Sequence, residues 1–156
     1  MSDKQKTINK PATLKGTGLH TGKEVTITFR PSEVNTGYIF RRVDLDGKPE
    51  IPALVDNVVE TSRSTVIQQN GASVATIEHV LSAVFGLGID NIIIEIDGPE
   101  TPILDGSSKM YVDTLLNAGV VDQNEDRNYF VVDKNIEFRD DKTGTKITAF
   151  PADSLS

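Results

Sequence analysis

The chain has 156 residues, 37% of them hydrophobic and 25% charged, enough for one domain with a real core or for one domain and part of another, and too apolar for a disordered polymer. A net charge of −7 speaks against a nucleic-acid binder, and the lack of cysteine excludes disulfides and thiolate metal sites, which fits a reducing compartment. No apolar run approaches a transmembrane span and Met1-Ser-Asp-Lys-Gln-Lys6 has no signal-peptide core, so a soluble, cytoplasmic protein is expected.

Thr7 to Leu14 reads as a short strand interrupted by Pro11. Gly16-Thr-Gly-Leu-His-Thr-Gly22 is a glycine-rich turn, but its glycine spacing is wrong for a dinucleotide fingerprint, and a strand rather than a helix follows. A tight hairpin loop with His20 at its exposed tip is expected instead. In Lys23–Arg30, apolar Val25, Ile27 and Phe29 alternate with polar residues, a half-buried strand closed by Pro31. Asn35-Thr-Gly37 is turn chemistry, and Tyr38–Val43 reads as the antiparallel neighbour of that strand. Asp46-Gly47 makes another turn, and Pro49 with Pro52 confines the next segment to an edge or a loop.

Strand-like runs centre on Thr61–Ile67, and Asn70-Gly71 is a hairpin signal. Thr76–Gly88 then carries Ile77, Val80, Leu81, Val84 and Phe85 at i, i+3, i+4, i+7 and i+8, the apolar stripe of an amphipathic helix. Thr76 is the expected N-cap and Gly86 or Gly88 the stop. Glu78 and His79 fall in the first turn, beside the buried stripe, where the helix dipole favours negative charge. Asn91–Ile96 is a β-branched run suited to a central strand. Asp97–Pro102 is a loop, Asp105–Ser108 a turn, and the helix after it is expected to bury Met110, Tyr111, Leu115 and Ala118 and to stop at Gly119.

Val120–Asn128 is polar and acidic, the composition of a linker. Tyr129–Phe138 and Thr145–Phe150 form a hairpin around Asp140–Gly144. Thr143–Pro151 loosely echoes Thr21–Pro31, as a second copy of the first domain would. The expected organisation is therefore a domain over 1–122, a linker over 123–128 and the beginning of a similar domain over 129–156. The alternative is that 129–150 adds strands to a single sheet. Glu78-His79 offers a base and a metal ligand, yet the chain has only two histidines, whereas a catalytic zinc takes three protein ligands. The pair is half a site.

Gly18-Leu-His-Thr-Gly22, Arg30-Pro31, Asn35-Thr-Gly37, Arg41-Arg42, Thr76-Ile-Glu-His79, Gly86–Asn91 and Pro102–Ser107, in that order, resemble the N-terminal domain of the UDP-3-O-acyl-N-acetylglucosamine deacetylase (LpxC) family, zinc hydrolases of lipid A synthesis. The resemblance implies an α+β fold, a two-layer sandwich of a mainly antiparallel sheet with two helices on one face, plus a small additional β element. It implies Glu78 as general base, His79 as one zinc ligand, and Leu19, His20, Thr61, Ser62 and Arg63 near the substrate, a UDP-acyl-amino sugar. Some relatives carry cysteine where this chain has Arg63. The other zinc ligands, a His and an Asp, and a further catalytic His are expected in a C-terminal domain of the same polypeptide, past residue 156. Zinc polarises the acetamide carbonyl and brings its water to a pKa of about 7, and a carboxylate takes the proton. A non-catalytic binding or scaffold domain, with the pair serving capping and packing, is the competing expectation.

Overall fold

The computed structural model describes residues 3–152, and the chain divides into two compact units, Met1–Asp126 and Arg127–Ser156. In the first unit β1 (Lys4–Ile8), β2 (Ala12–Thr17), β3 (Glu24–Pro31), β4 (Tyr38–Arg42) and β5 (Glu50–Pro52) lead to a single 3-10 turn at Val55–Asn57. Then come β6 (Val58–Glu60), β7 (Val66–Gln69), β8 (Ala72–Val74), α1 (Glu78–Gly86), β9 (Ile92–Ile96), α2 (Lys109–Ala118) and β10 (Val120–Asp126). The second unit contains β11 (Ile136–Asp140) and β12 (Thr145–Ala149).

The main sheet runs β2-β3-β9-β4-β5. Its inward residues, among them Ile27, Phe29, Phe40, Ile51 and Ile94, form one cluster with Val80, Ala83 and Val84 of α1 and Tyr111, Leu115 and Ala118 of α2. The outward face is polar and carries an ion-pair chain, Arg30–Glu95 at 2.5 Å, Glu95–Arg41 at 3.1 Å and Arg41–Glu50 at 2.5 Å. This is the expected α+β sandwich. A three-stranded sheet, β6-β7-β8, and a two-stranded ribbon, β1-β10, complete the unit.

The Ile-rich β9 takes the centre, as its composition requires, and this corrects the placement of β4. Rather than pairing with β3, β4 runs parallel to β9, which separates the two. The β3–β4 connection can step across because its backbone is tied elsewhere: Asn35 N–H donates to Gln5 Oε1 at 2.9 Å and Gly37 N–H to Asn91 Oδ1 at 2.9 Å. Asn91 is 1% exposed, and its amide also donates to Gln5 Oε1 and Gln123 Oε1, both at 2.8 Å.

Those bonds explain a second correction. Val120–Asp126 is not a linker but the strand β10, paired with β1, and one of its polar residues, Gln123, satisfies the buried Asn91. Residues 123–126 of the expected linker therefore lie in a ribbon. Pro11 does not interrupt one strand; it separates β1 from β2, which belong to different sheets. Asn70 and Gly71 have φ of 52° and 76°, the mirror-image turn that joins β7 to β8. Strand β5 is the sheet edge, as its prolines require.

Two residues assigned to the core from helical spacing lie outside it. Phe85 is 71% exposed and Met110 44%, because α1 and α2 each bury only a narrow stripe. In the second unit β11 and β12 form an antiparallel hairpin whose strand begins at Ile136 rather than at Tyr129. Its Phe138 and Ile147 remain exposed, since two strands cannot enclose an apolar face.

Ile94→Ala, at the centre of the sheet, is expected to destabilise the first unit by about 2–5 kcal/mol, whereas Phe85→Ala in this chain should stay within about 0.5 kcal/mol of wild type. Urea unfolding of the two variants checks both, and equal losses would mean that Phe85 packs in the core after all.

Candidate functional site

The β2–β3 hairpin loop is closed by its own backbone: Gly18 N–H donates to Lys23 O at 3.0 Å and Gly22 N–H to Gly18 O at 3.1 Å. The loop presents Leu19, 59% exposed, and His20, also exposed. On the other side of a cleft of about 540 Å³ lies the chain between β6 and β7. Thr61–Ser64, expected as part of a strand, is irregular, with a bend at Ser62–Ser64, and Ser62 N–H donates to Glu60 Oε1 at 3.1 Å. Hydrogen bonds from Ser62 hold the exposed Glu60 carboxyl below its ordinary value.

His20, Ser62 and Arg63 line this cleft together with Thr21 and Ser64. Leu19 and Thr61 sit beside these residues in the same loops and are exposed, but they are not part of the lining. Glu78 and His79 also lie outside the lining, half-buried at the start of α1. Glu78 is tied to Thr65, next to the bend: Thr65 N–H donates to Glu78 Oε2 at 3.1 Å, and the Thr65 carbonyl accepts from Ile77 N–H at 3.4 Å.

Thr76 is not the N-cap that the sequence suggested. It is 1% exposed with φ 60°, a left-handed value uncommon for a β-branched residue, and its hydroxyl points away from the helix to donate to Glu100 Oε1 at 3.0 Å. Glu100, in the loop expected over Asp97–Pro102, forms the back of the cleft. Its carboxylate also accepts His20 N–H, at 2.9 Å to Oε1 and 3.2 Å to Oε2, and Thr21 N–H at 2.8 Å to Oε2. Burial pushes the Glu100 carboxyl up, but the hydrogen bonds from His20, Thr21 and Thr76 outweigh it and hold it below the ordinary value. No periodicity marks this residue; its only signal is a glutamate enclosed by Pro99 and Pro102, where an unpaired charge would be costly to bury.

A carboxyl whose folded pKa lies below its unfolded value adds stability that is fully present above the unfolded value and is lost as pH falls through the folded one. The stability gap between wild type and Glu100→Gln is therefore expected to be widest near neutrality and to narrow below about pH 4. Urea unfolding of both proteins across the acid range checks this, and a gap independent of pH would show that the charge adds nothing.

The family model described as UDP-3-O-acyl N-acetylglycosamine deacetylase (LpxC) matches residues 5–156. A protein of Chlorobaculum tepidum named bifunctional enzyme LpxC/FabZ is 51% identical over 151 residues, which is 97% of this chain and 32% of the relative. A protein of the same name from Bacteroides thetaiotaomicron is 45% identical over 98% of this chain and 33% of its own length. The UDP-3-O-acyl-N-acetylglucosamine deacetylase of Geobacter sp. strain M21 is 48% identical over 92% of this chain and 47% of its own length. The chain thus spans about a third to a half of these relatives. It belongs to the deacetylase family.

Proposed function

We propose that this member of the UDP-3-O-acyl N-acetylglycosamine deacetylase family supplies the N-terminal part of a zinc-dependent amidohydrolase, with Glu78 as general base and His79 as one metal ligand. The observation that carries this reading is the placement of Glu78-His79 at the start of α1, with Glu78 bonded to Thr65 beside the bend that lines the cleft. The substrate is the acetamide of a UDP-3-O-acyl-N-acetylglucosamine, in lipid A biosynthesis in the cytoplasm. The family to which the chain belongs and the name of its Geobacter relative support that choice.

The donor chemistry fits a shared zinc site. His79 offers one imidazole, and no group of three His, Asp or Glu side chains able to hold a metal occurs among the described residues. The chain spans about a third to a half of its relatives' length, and the remaining ligands would come from a second domain in that further length. When bound, zinc would polarise the amide carbonyl and acidify the water that attacks it. The chain's own residues do the rest. Thr65 N–H orients Glu78 through Oε2, which leaves Oε1 to take the proton from water. His20, Ser62 and Arg63 form the wall against which the sugar nucleotide is held, with Leu19 and Thr61 alongside.

In this chain joined to its second domain, His79→Ala should lose both zinc and turnover. Glu78→Gln should keep zinc while kcat falls by about 10²–10⁴-fold. The 156-residue chain alone should show no turnover. Metal analysis beside a deacetylation assay checks all three, and a His79→Ala protein with normal zinc and activity would reassign the pair to capping and packing.

A further inference from the structure

Glu100 is 0% exposed, and no lysine or arginine is paired with it among the described residues, so its charge is held by dipoles alone. Such an arrangement depends on geometry, because each donor must lie where a lone pair points. The donors come from two separate segments. Oε2 receives Thr21 N–H, Oε1 receives the Thr76 hydroxyl, and His20 N–H is shared between the two oxygens. The hairpin closes directly onto the carboxylate: a Cβ at Gly18 would stand 2.5 Å from Oε2.

On the helix side the neighbouring residues complete the clamp. Ala75 N–H donates to Pro99 O at 2.9 Å and Thr101 N–H to Ala75 O at 3.1 Å, while the Thr101 hydroxyl donates to Thr76 O at 2.5 Å. Thr76 is thereby held in its left-handed conformation, and the three residues that follow are Ile77, Glu78 and His79. A single carboxylate thus touches the cleft loop and Thr76, the residue just ahead of the Ile77 cap of α1.

We propose that Glu100 is a positioning residue, whose carboxylate couples the His20 loop to the Thr76 turn so that the cleft wall and the Glu78–His79 end of α1 keep one fixed relation. The effect on turnover rests on the deacetylase reading; the coupling is a property of this chain by itself. If Glu100 served only stability, loosening one segment would leave the other unmoved. If it couples them, a change on either side is felt on the other.

Amide hydrogen exchange and chemical shifts of the 156-residue chain test this. In Glu100→Gln, exchange at His20 and Thr21 should accelerate by about tenfold or more, and resonances of Thr76–His79 should move in the same protein while the β1–β10 ribbon stays unchanged. Thr76→Val removes the hydroxyl donor without touching the hairpin, and should nevertheless shift the His20 and Thr21 amides. A response confined to one segment in both variants, or none in either, overturns the coupling. In the two-domain polypeptide, Glu100→Gln should raise KM and lower kcat together at unchanged zinc content, and wild-type values for both would overturn the positioning role. A wild-type two-domain protein without deacetylase activity would refute the deacetylase reading instead, with the exchange data still deciding the coupling.

Discussion

A carboxylate removed from water without a counter-ion must be met by oriented donors, and at Glu100 that requirement organises the cleft. The hairpin loop has to turn two consecutive amides inward, which places His20 and Thr21 against the same group. Gly18 has to approach without a side chain. Thr76 has to abandon the N-cap geometry that its position suggests and take a left-handed turn, so that its hydroxyl reaches back to Oε1. None of these local choices is the cheapest for its own segment. Together they satisfy one buried charge.

A similar device operates at Asn91. Its amide is neutral, but it is equally buried, and its partners Gln5, Gln123 and Gly37 come from β1, β10 and the turn before β4. The two networks flank β9 in sequence, Asn91 just before the strand and Glu100 just after it. The central strand therefore brings apolar side chains to the core along its length and polar anchors at its two ends. Hydrophobic burial explains why β9 is central. It does not explain which loops gather at each end; the anchors do.

This division also explains what was legible in the sequence. Val25, Ile27 and Phe29, the Asn70-Gly71 turn, the isoleucine run of β9 and the start of α1 near Glu78 all obey local rules, and each stands where those rules put it. The position of β4 depended on which strand would be inserted between it and β3, a long-range choice that alternation within β4 cannot express. The polar residues of β10 looked like a linker because Gln123 serves a buried partner far away in sequence. Phe85 misled for a related reason. Helical spacing gives the direction of the apolar stripe, while its width depends on how closely α1 lies against its neighbours. At the cleft, resemblance points to His20, Ser62 and Arg63, while Glu100 has no signal beyond its place between Pro99 and Pro102.

Adjacent positions on a helix point about 100° apart, so Glu78 and His79 cannot both aim along one line. For a single-helix metal site this is a weakness, since two ligands on one face need a spacing of about one turn. For a site shared between domains it is an advantage. In the proposed site one side chain would face the metal while its neighbour would face the water, with the angle between them set by the helix start. A lone imidazole also holds metal weakly, so the proposed site would assemble only when a second domain supplies its ligands. Rigidity on this side then matters more than metal affinity. The first turn of α1 must be in place beforehand, and the bonds of Thr65 to Glu78 and of Glu100 to Thr76 hold it there.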